Sequence, residues 1–216
     1  MVSPKDGIYS FGCYILLLLM IIPLQARELA SKQSISNDEV VRLLAFKQSS
    51  VQYYPNKSLA NWTANSPTSC SCFGVFCSAD GHATSLNLSS TDLIGSLHLP
   101  DLTALPSLKH LSLSGNSFSA GDLSAFTATL CVLETIDLSS NNISDPLPGK
   151  SFLSSCNYLA FVNLSHNSIP GGVLQFGPSL LQLDLSENHI SDSTFLTRSL
   201  SICQNLNYLN FSGDTY

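Results

Sequence analysis

Residues 110–119 read HLSLSGNSFS, and the same phrase returns at 135–144 (TIDLSSNNIS), 161–170 (FVNLSHNSIP) and 182–191 (QLDLSENHIS). Looser copies flank these at 85–94 (SLNLSSTDLI) and 208–216 (YLNFSGDTY). In every copy two apolar residues stand either side of one polar residue, the alternation of a short strand with one buried face. The first apolar positions are Leu86, Leu111, Ile136, Val162, Leu183 and Leu209, at intervals of 25, 25, 26, 21 and 26 residues. Three residues after the second apolar position come Thr91, Asn116, Asn141, Asn167, Asn188 and Asp214. A strand of this length cannot bury its own apolar side, so successive copies must stack and share one core. An Asn where the chain leaves each strand supplies two donors and an acceptor to backbone groups of the turn. Thr91 and Asp214 depart from the ladder at the two ends of the array, where atypical copies are expected.

The period and the pattern LxxLxLxxN resemble those of leucine-rich repeats. The resemblance implies an α/β repeat fold, a leucine-rich-repeat solenoid with a curved parallel sheet. After each Asn an apolar residue and a return rich in Ser, Gly and Pro follow, as in Leu93-Ile-Gly95, Ile143-Ser-Asp-Pro146 and Ile169-Pro-Gly-Gly172. These approach the plant-type LSGxIP pattern without matching it fully, so the second sheet of that subclass is expected to be irregular.

Composition agrees with a repeating core. Of 216 residues 37 are Ser and 36 are Leu, while 11% are charged and 44% hydrophobic, which is enough apolar content to exclude wholesale disorder. The net charge is −6, and from Cys77 onward Lys109, Lys150 and Arg198 oppose eleven acids. Such a surface repels phosphate backbones and argues against nucleic acid as a partner.

Gly7 to Ala26 carries no charge, follows Lys5, contains the apolar block Ile15–Ile22 and ends Pro23-Leu24-Gln25-Ala26. That is the pattern of a secretory signal peptide over residues 1–26. A secreted chain keeps disulfides, and six cysteines remain after Cys13 departs with the leader. Asn-x-Ser/Thr sequons at Asn56, Asn61, Asn87, Asn142, Asn163 and Asn210 make these candidate glycosylation sites.

Residues 27–81 read as an N-terminal cap and 82–216 as about six repeats, the last truncated. Ser36-Asn-Asp-Glu39 has the form of a capping box opening a helix whose apolar side is Val40, Leu43 and Leu44. The succession Leu43-Leu44-x-Phe46-Lys47, Leu59-x-x-Trp62 and Cys70-Ser-Cys72-Phe73-Gly74-Val75-Phe76-Cys77 resembles the disulfide-bonded cap of plant leucine-rich-repeat receptor kinases. Gly115-Asn-Ser-Phe-Ser-Ala-Gly-Asp122 and the recurrent Cys-x-x-Leu before a strand are most similar to the brassinosteroid-receptor-like group. The resemblance implies pairing of Cys70 with Cys77, which leaves Cys72 odd where the family carries Trp or Phe. Cys72–Cys77 is the rival pairing, and sequence alone does not decide between them.

Cys131 and Cys156 precede consecutive strands at equivalent positions, 25 residues apart. Neighbouring strands lie about 4.8 Å apart, inside the Cα window of a disulfide, so these two are predicted to pair. Cys203 lies two repeats beyond Cys156, about 10 Å by the same spacing, and has no partner in reach. The sixth repeat ends just past its strand with no closing cap, so the chain reads as the N-terminal part of a longer ectodomain with an open C-terminal end.

Chemistry has little footing. The five His are scattered, and the only adjacent Ser/His pair, Ser165-His166, sits at repeat positions without the third group that would orient a base. No catalytic, cofactor-binding or metal residues are assigned, and the close cap cysteines lack a fourth ligand at zinc spacing. What the repeat offers is a surface of outward lanes: Ser85, His110, Thr135, Phe161, Gln182 and Tyr208 in the first; Asn87, Ser112, Asp137, Asn163, Asp184 and Asn210 in the second; and Ser in every copy of the third. Phe161 and Tyr208 are the candidate contact residues, of a type enriched in interface hot spots. Glycans at Asn87, Asn163 or Asn210 on the same face would obstruct docking.

The resemblance implies an extracellular recognition module that binds protein partners, a co-receptor or the receptor itself, and is no enzyme. In the brassinosteroid-receptor-like group the hormone pocket lies in an island between later repeats, so this fragment is expected to hold no small-molecule site or cofactor, and to reach the membrane only through a C-terminal part. Its location would be the secretory pathway and the apoplast, or the plasma membrane as part of a full receptor. A secreted leucine-rich-repeat inhibitor or decoy is the alternative.

Overall fold

The computed structural model describes residues 38–119, 131–144, 152–170, 175–190 and 198–213. The predicted leader, and Ser36 of the predicted capping box, lie outside them. Helix α1 covers residues 38–50 and runs into strand β1 (Val51–Tyr53); β2 (Val75–Cys77) closes the cap. The repeats follow as β3 (Ala83–Asn87), β4 (Ile94–Ser96), α2 (Pro100–Thr103), β5 (His110–Ser112), β6 (Ser117–Ser119), β7 (Thr135–Asp137), α3 (Phe152–Ser155), β8 (Phe161–Asn163), β9 (Gln182–Asp184) and β10 (Tyr208–Asn210).

One sheet carries the order β2-β3-β5-β7-β8-β9-β10. All its neighbours are parallel except the antiparallel pair β2–β3 from the cap. Register is constant: Leu86, Leu111, Ile136, Val162, Leu183 and Leu209 lie side by side. The first five of these are at most 3% exposed, as are Leu88, Leu113, Leu138, Leu164 and Leu185 of the second apolar row. A second sheet, β1-β4-β6, runs along the other side of the first repeats and, among the described residues, continues only as a bridge between Ser119 and Asn142. It is short, and its first strand comes from the cap, pairing antiparallel with β4. Gly95 makes that pairing possible, because a Cβ there would stand 1.8 Å from the Ser50 carbonyl oxygen.

The cap packs by a different logic from the repeats. Val40, Leu43 and Phe46 are buried on α1, whereas Leu44 is only partly so. Phe46 meets Trp62 with ring centroids 6.5 Å apart, and the indole Nε1 donates to the Phe73 carbonyl at 2.9 Å. Lys47 donates to the Leu59 and Trp62 carbonyls at 2.7 and 3.1 Å and lies over the Tyr54 ring. The Glu39 carboxylate, expected to cap its own helix, is 1% exposed and turned to the start of the repeats. It accepts from Ser69 Oγ at 2.6 Å and the Ala83 N–H at 3.2 Å, and sits 3.2 Å from His82 Nδ1. A buried carboxylate needs such partners, and these tie helix, disulfide loop and β3 together.

Candidate functional site

The Asn ladder fixes the shape on which any site is built. Asn116, Asn141, Asn167 and Asn188 each donate through Nδ2 to carbonyls of their own repeat and to one carbonyl in the preceding repeat: Leu88, Leu113, Leu138 and Leu164, at 2.8, 3.0, 3.0 and 3.0 Å. Each Oδ1 accepts from an N–H of the preceding repeat: Leu93, Phe118, Ile143 and Ile169. Every Asn is therefore a cross-link between neighbouring turns as well as a turn-former. The residue before each ladder position, Ser90, Gly115, Ser140, His166, Glu187 and Gly213, has φ between 52° and 82°. This left-handed step aims the Asn inward. Gly at two of the six copies was the only sequence sign of it.

The Ser lane differs from the outward row expected. Ser165 and Ser186 are 6% and 7% exposed. The lane's hydroxyls turn along the strand: Ser139, Ser165, Ser186 and Ser212 donate to Oδ1 of Asp137, Asn163, Asp184 and Asn210 at 2.6, 2.7, 2.6 and 3.0 Å, and Ser89 does the same to Asn87. Their backbone N–H groups donate to the same oxygens. Asn or Asp two residues before Ser is an Asx turn, visible in the sequence as [Asn/Asp]-x-Ser in five of six copies. Ser165 is thereby directed to Asn163 and away from any pairing with His166.

The sulfur chemistry is structural. Cys70 joins Cys77 with Cα atoms 5.8 Å apart, and Cys131 joins Cys156 at 4.9 Å. Cys72 and Cys203 are free and buried. Burial raises the pKa of both thiols, against smaller opposing effects of Ser66 and Lys47 at Cys72, so neither is an activated nucleophile. Among the described residues no group of three His, Cys, Asp or Glu could hold a metal ion. Lys109 and Glu134 pair at 2.8 Å beside the concave face, and the Lys109 ammonium holds the Glu134 carboxyl below its usual range.

The sequons fall in different settings. Asn56, Asn87 and Asn142 are exposed; Asn56 donates to Asp92 at 2.6 Å. Asn61 is exposed yet uses both amide atoms, donating to the Ser71 carbonyl and accepting from the Phe73 N–H. Asn163 and Asn210 are half-buried, each holding its own sequon Ser through Oδ1.

Phe161 and Tyr208 come together on the concave face. They are 41% and 47% exposed and flank Gln182, which is in register with both. With Thr135, Asp137, Asn163 and Asp184 they line a shallow depression of about 340 Å³. Its floor is a parallel sheet fixed by the Asn ladder, so its side chains are held in constant register and are presented for contact.

The chain matches the Leucine rich repeat N-terminal domain model over residues 36–78 and Leucine Rich Repeat models over 107–128, 129–146 and 178–193. It is 46% identical over 154 residues to the serine/threonine-protein kinase BRI1-like 1 of Arabidopsis thaliana, covering 70% of this chain and 13% of that protein. It is 45% identical over 153 residues to the brassinosteroid LRR receptor kinase BRL3 of Oryza sativa subsp. japonica, covering 68% and 12%. The chain thus spans about an eighth of the length of these relatives. Among solved structures it is similar to the Arabidopsis receptor kinase HAESA in complex with the peptide hormone IDA and the co-receptor SERK1, with a TM-score of 0.62 and 26% identity over 82% of this chain and 34% of that one.

Proposed function

We propose that this chain, a leucine-rich-repeat protein related in sequence to the brassinosteroid-receptor-like kinases of plants, is the N-terminal recognition part of a receptor ectodomain and acts by binding proteins. The observation that supports this most directly is the concave depression, where Phe161 and Tyr208 stand exposed on a sheet whose register is cross-linked from repeat to repeat. Rigid, partly exposed aromatics on a preorganised floor are what a protein interface needs. In this reading residues 1–26 are a secretory leader, 27–81 the cap and 82–216 the repeats. The steroid-binding island, membrane span and kinase lie elsewhere in the receptor. The working location is the apoplastic side of the plasma membrane, and the disulfides suit that compartment.

The HAESA complex with SERK1 supports a co-receptor ectodomain as the partner; a second copy of the receptor is the other candidate. The test is biolayer interferometry of the secreted, oxidised chain against an immobilised SERK1 ectodomain and against itself, with brassinolide as a small-molecule control. Saturable binding to either protein that weakens at least fivefold in Phe161→Ala or Tyr208→Ala, with no steroid binding, is expected. Binding to neither, or binding indifferent to both substitutions, would sink the reading.

A further inference from the structure

The depression carries a chemical preference of its own. Asp137 and Asp184 lie in the second lane either side of Asn163, in register with it. Among the described residues no lysine or arginine lines the depression, and Lys109, just before β5, is paired with Glu134. One carboxylate oxygen of each Asp, Oδ1, takes both the N–H and the hydroxyl of the following Ser. Asp184 Oδ2 takes one donor, Asn210 Nδ2, at 3.2 Å, which leaves it acceptor capacity. Each carboxylate is therefore fixed in orientation by its Asx turn, and Asp184 Oδ2 can take a further donor beside Asn210.

The aromatics stand in the adjoining lane. Phe161 on β8 and Tyr208 on β10 are separated by the single strand β9, about 10 Å between backbones at normal strand spacing. That gap takes one flat group between two rings, above Gln182. Asp184 lies two residues further along β9, about 7 Å at the rise of a strand. From the structure we infer that this slot receives an arginine side chain of a partner protein, its guanidinium between Phe161 and Tyr208 and its N–H groups directed to Asp184, with Asp137 adding negative charge two strands away. Guanidinium is planar, stacks on aromatic faces and matches carboxylates with paired donors; a lysine ammonium is compact and strongly hydrated and exploits the slot less well.

This inference rests on the recognition reading above and deepens it. Its test uses the secreted chain and four pentapeptides, Ala-Ala-X-Ala-Ala, in which X is arginine, citrulline, lysine or leucine. Citrulline keeps the shape of arginine and removes the charge. Calorimetric titration at low and physiological salt is expected to show saturable binding of the arginine peptide, weakened at least tenfold by citrulline and at least fivefold in Asp184→Asn or Phe161→Ala. Lysine should fall between arginine and citrulline, and leucine should not bind. Asp184→Asn retains an Oδ1 for Ser186, so an unchanged thermal midpoint certifies the fold of the variant. Equal binding of arginine and citrulline, no saturable arginine binding, or a glycan found on Asn163 in the folded protein would overturn the inference. Loss of arginine binding with retained SERK1 or self-association leaves the recognition reading intact and rejects only the guanidinium slot.

Discussion

Asn167 donates through Nδ2 to the carbonyl of Leu138, 29 residues upstream, at 3.0 Å. Its Oδ1 accepts from the Ile143 N–H at 3.1 Å, so one buried side chain satisfies both a donor and an acceptor of the repeat before it. Asn167→Ala orphans the Ile143 N–H at a residue only 7% exposed, while the Leu138 carbonyl keeps its bond from Asn141 Nδ2 at 3.1 Å. An orphaned buried N–H costs about 1–3 kcal/mol, and a loss of that size is expected, read as a lower urea midpoint. Asn167→Asp, which keeps the acceptor and deletes the donors, should lose a comparable amount. If either variant unfolds like the parent, the inter-repeat role of the ladder is wrong.

The left-handed step before each Asn gives a prediction of opposite sign. Ser140 and Glu187 have φ of 52° and 56°, a conformation that costs a residue with a Cβ about 1–2 kcal/mol. Replacing either by Gly relieves that strain and loosens the unfolded chain, so the net expectation is stabilisation by under about 1 kcal/mol. Gly115→Ala at the equivalent position should destabilise by about 1 kcal/mol, since its φ is 64° and an added Cβ would meet Ser90 Oγ at 2.8 Å. Thermal midpoints of the three variants measured together decide the point.

Gly95→Ala should be far more costly than an ordinary glycine substitution. The new methyl would overlap the Ser50 backbone oxygen at 1.8 Å, and no side-chain rotation relieves a clash with backbone. The pairing of β1 with β4 must open, and with it the contact of Ser50 Oγ with the His98 N–H at 2.9 Å. Loss of about 3 kcal/mol or more is expected, at the top of the range for overpacking. The matching observation is faster amide exchange in Val51–Tyr53; unchanged exchange there would show that the second sheet tolerates the methyl.

How much of this was legible in advance depended on whether one repeat or two were involved. The strands, their apolar rows and the Asn positions are properties of a single repeat read against its copies, so Leu111 and Asn141 announce themselves in sequence. That Asn141 reaches the Leu113 carbonyl at 3.0 Å, or that Ser165 folds onto Asn163, depends on stacking register and on a left-handed backbone step at residues as ordinary as Ser140 and His166. Glu39 shows the same limit in the cap: its spacing from Ser36 suggests a local capping box, while its carboxylate serves Ser69 and Ala83, 30 and 44 residues away. Phe161 and Tyr208 could be placed in one lane from sequence. The joint depression with Asp137 and Asp184 required the constant register of four strands.

Cys131 and Cys156 close a loop of sequence separation 25. In the chain-entropy account such a loop is worth about 3–4 kcal/mol. Paired replacement Cys131→Ser with Cys156→Ser should lower stability by that order, and reductant, which opens Cys70–Cys77 as well, should lower the parent by more. Cys70→Ser with Cys77→Ser opens a loop of sequence separation 7 and, on loop length alone, should cost less by about 1 kcal/mol. A reversed ranking in denaturant titration would show that the cap disulfide acts through native packing and not through the unfolded chain.

Cys72 supplies the pH dependence. Burial pushes its thiol above the ordinary range, so the folded state holds a proton that the unfolded state releases first. Stability from this group is fully present below the unfolded thiol value of about 8.5 and falls as pH rises from there through the folded value, by at most about 1.4 kcal/mol per pH unit. Cys72→Ala removes the thiol and with it this share of the alkaline decline, leaving a flatter stability profile between pH 8 and 10, in roughly the range where thiols titrate. Iodoacetamide labelling offers a second reading: Cys72 in the native chain should react far more slowly than a free thiol at pH 8 and match it once the cap is unfolded. Rapid native labelling, or an alkaline decline as steep in Cys72→Ala as in the parent, would mean that the thiol is not held neutral by the packing around it.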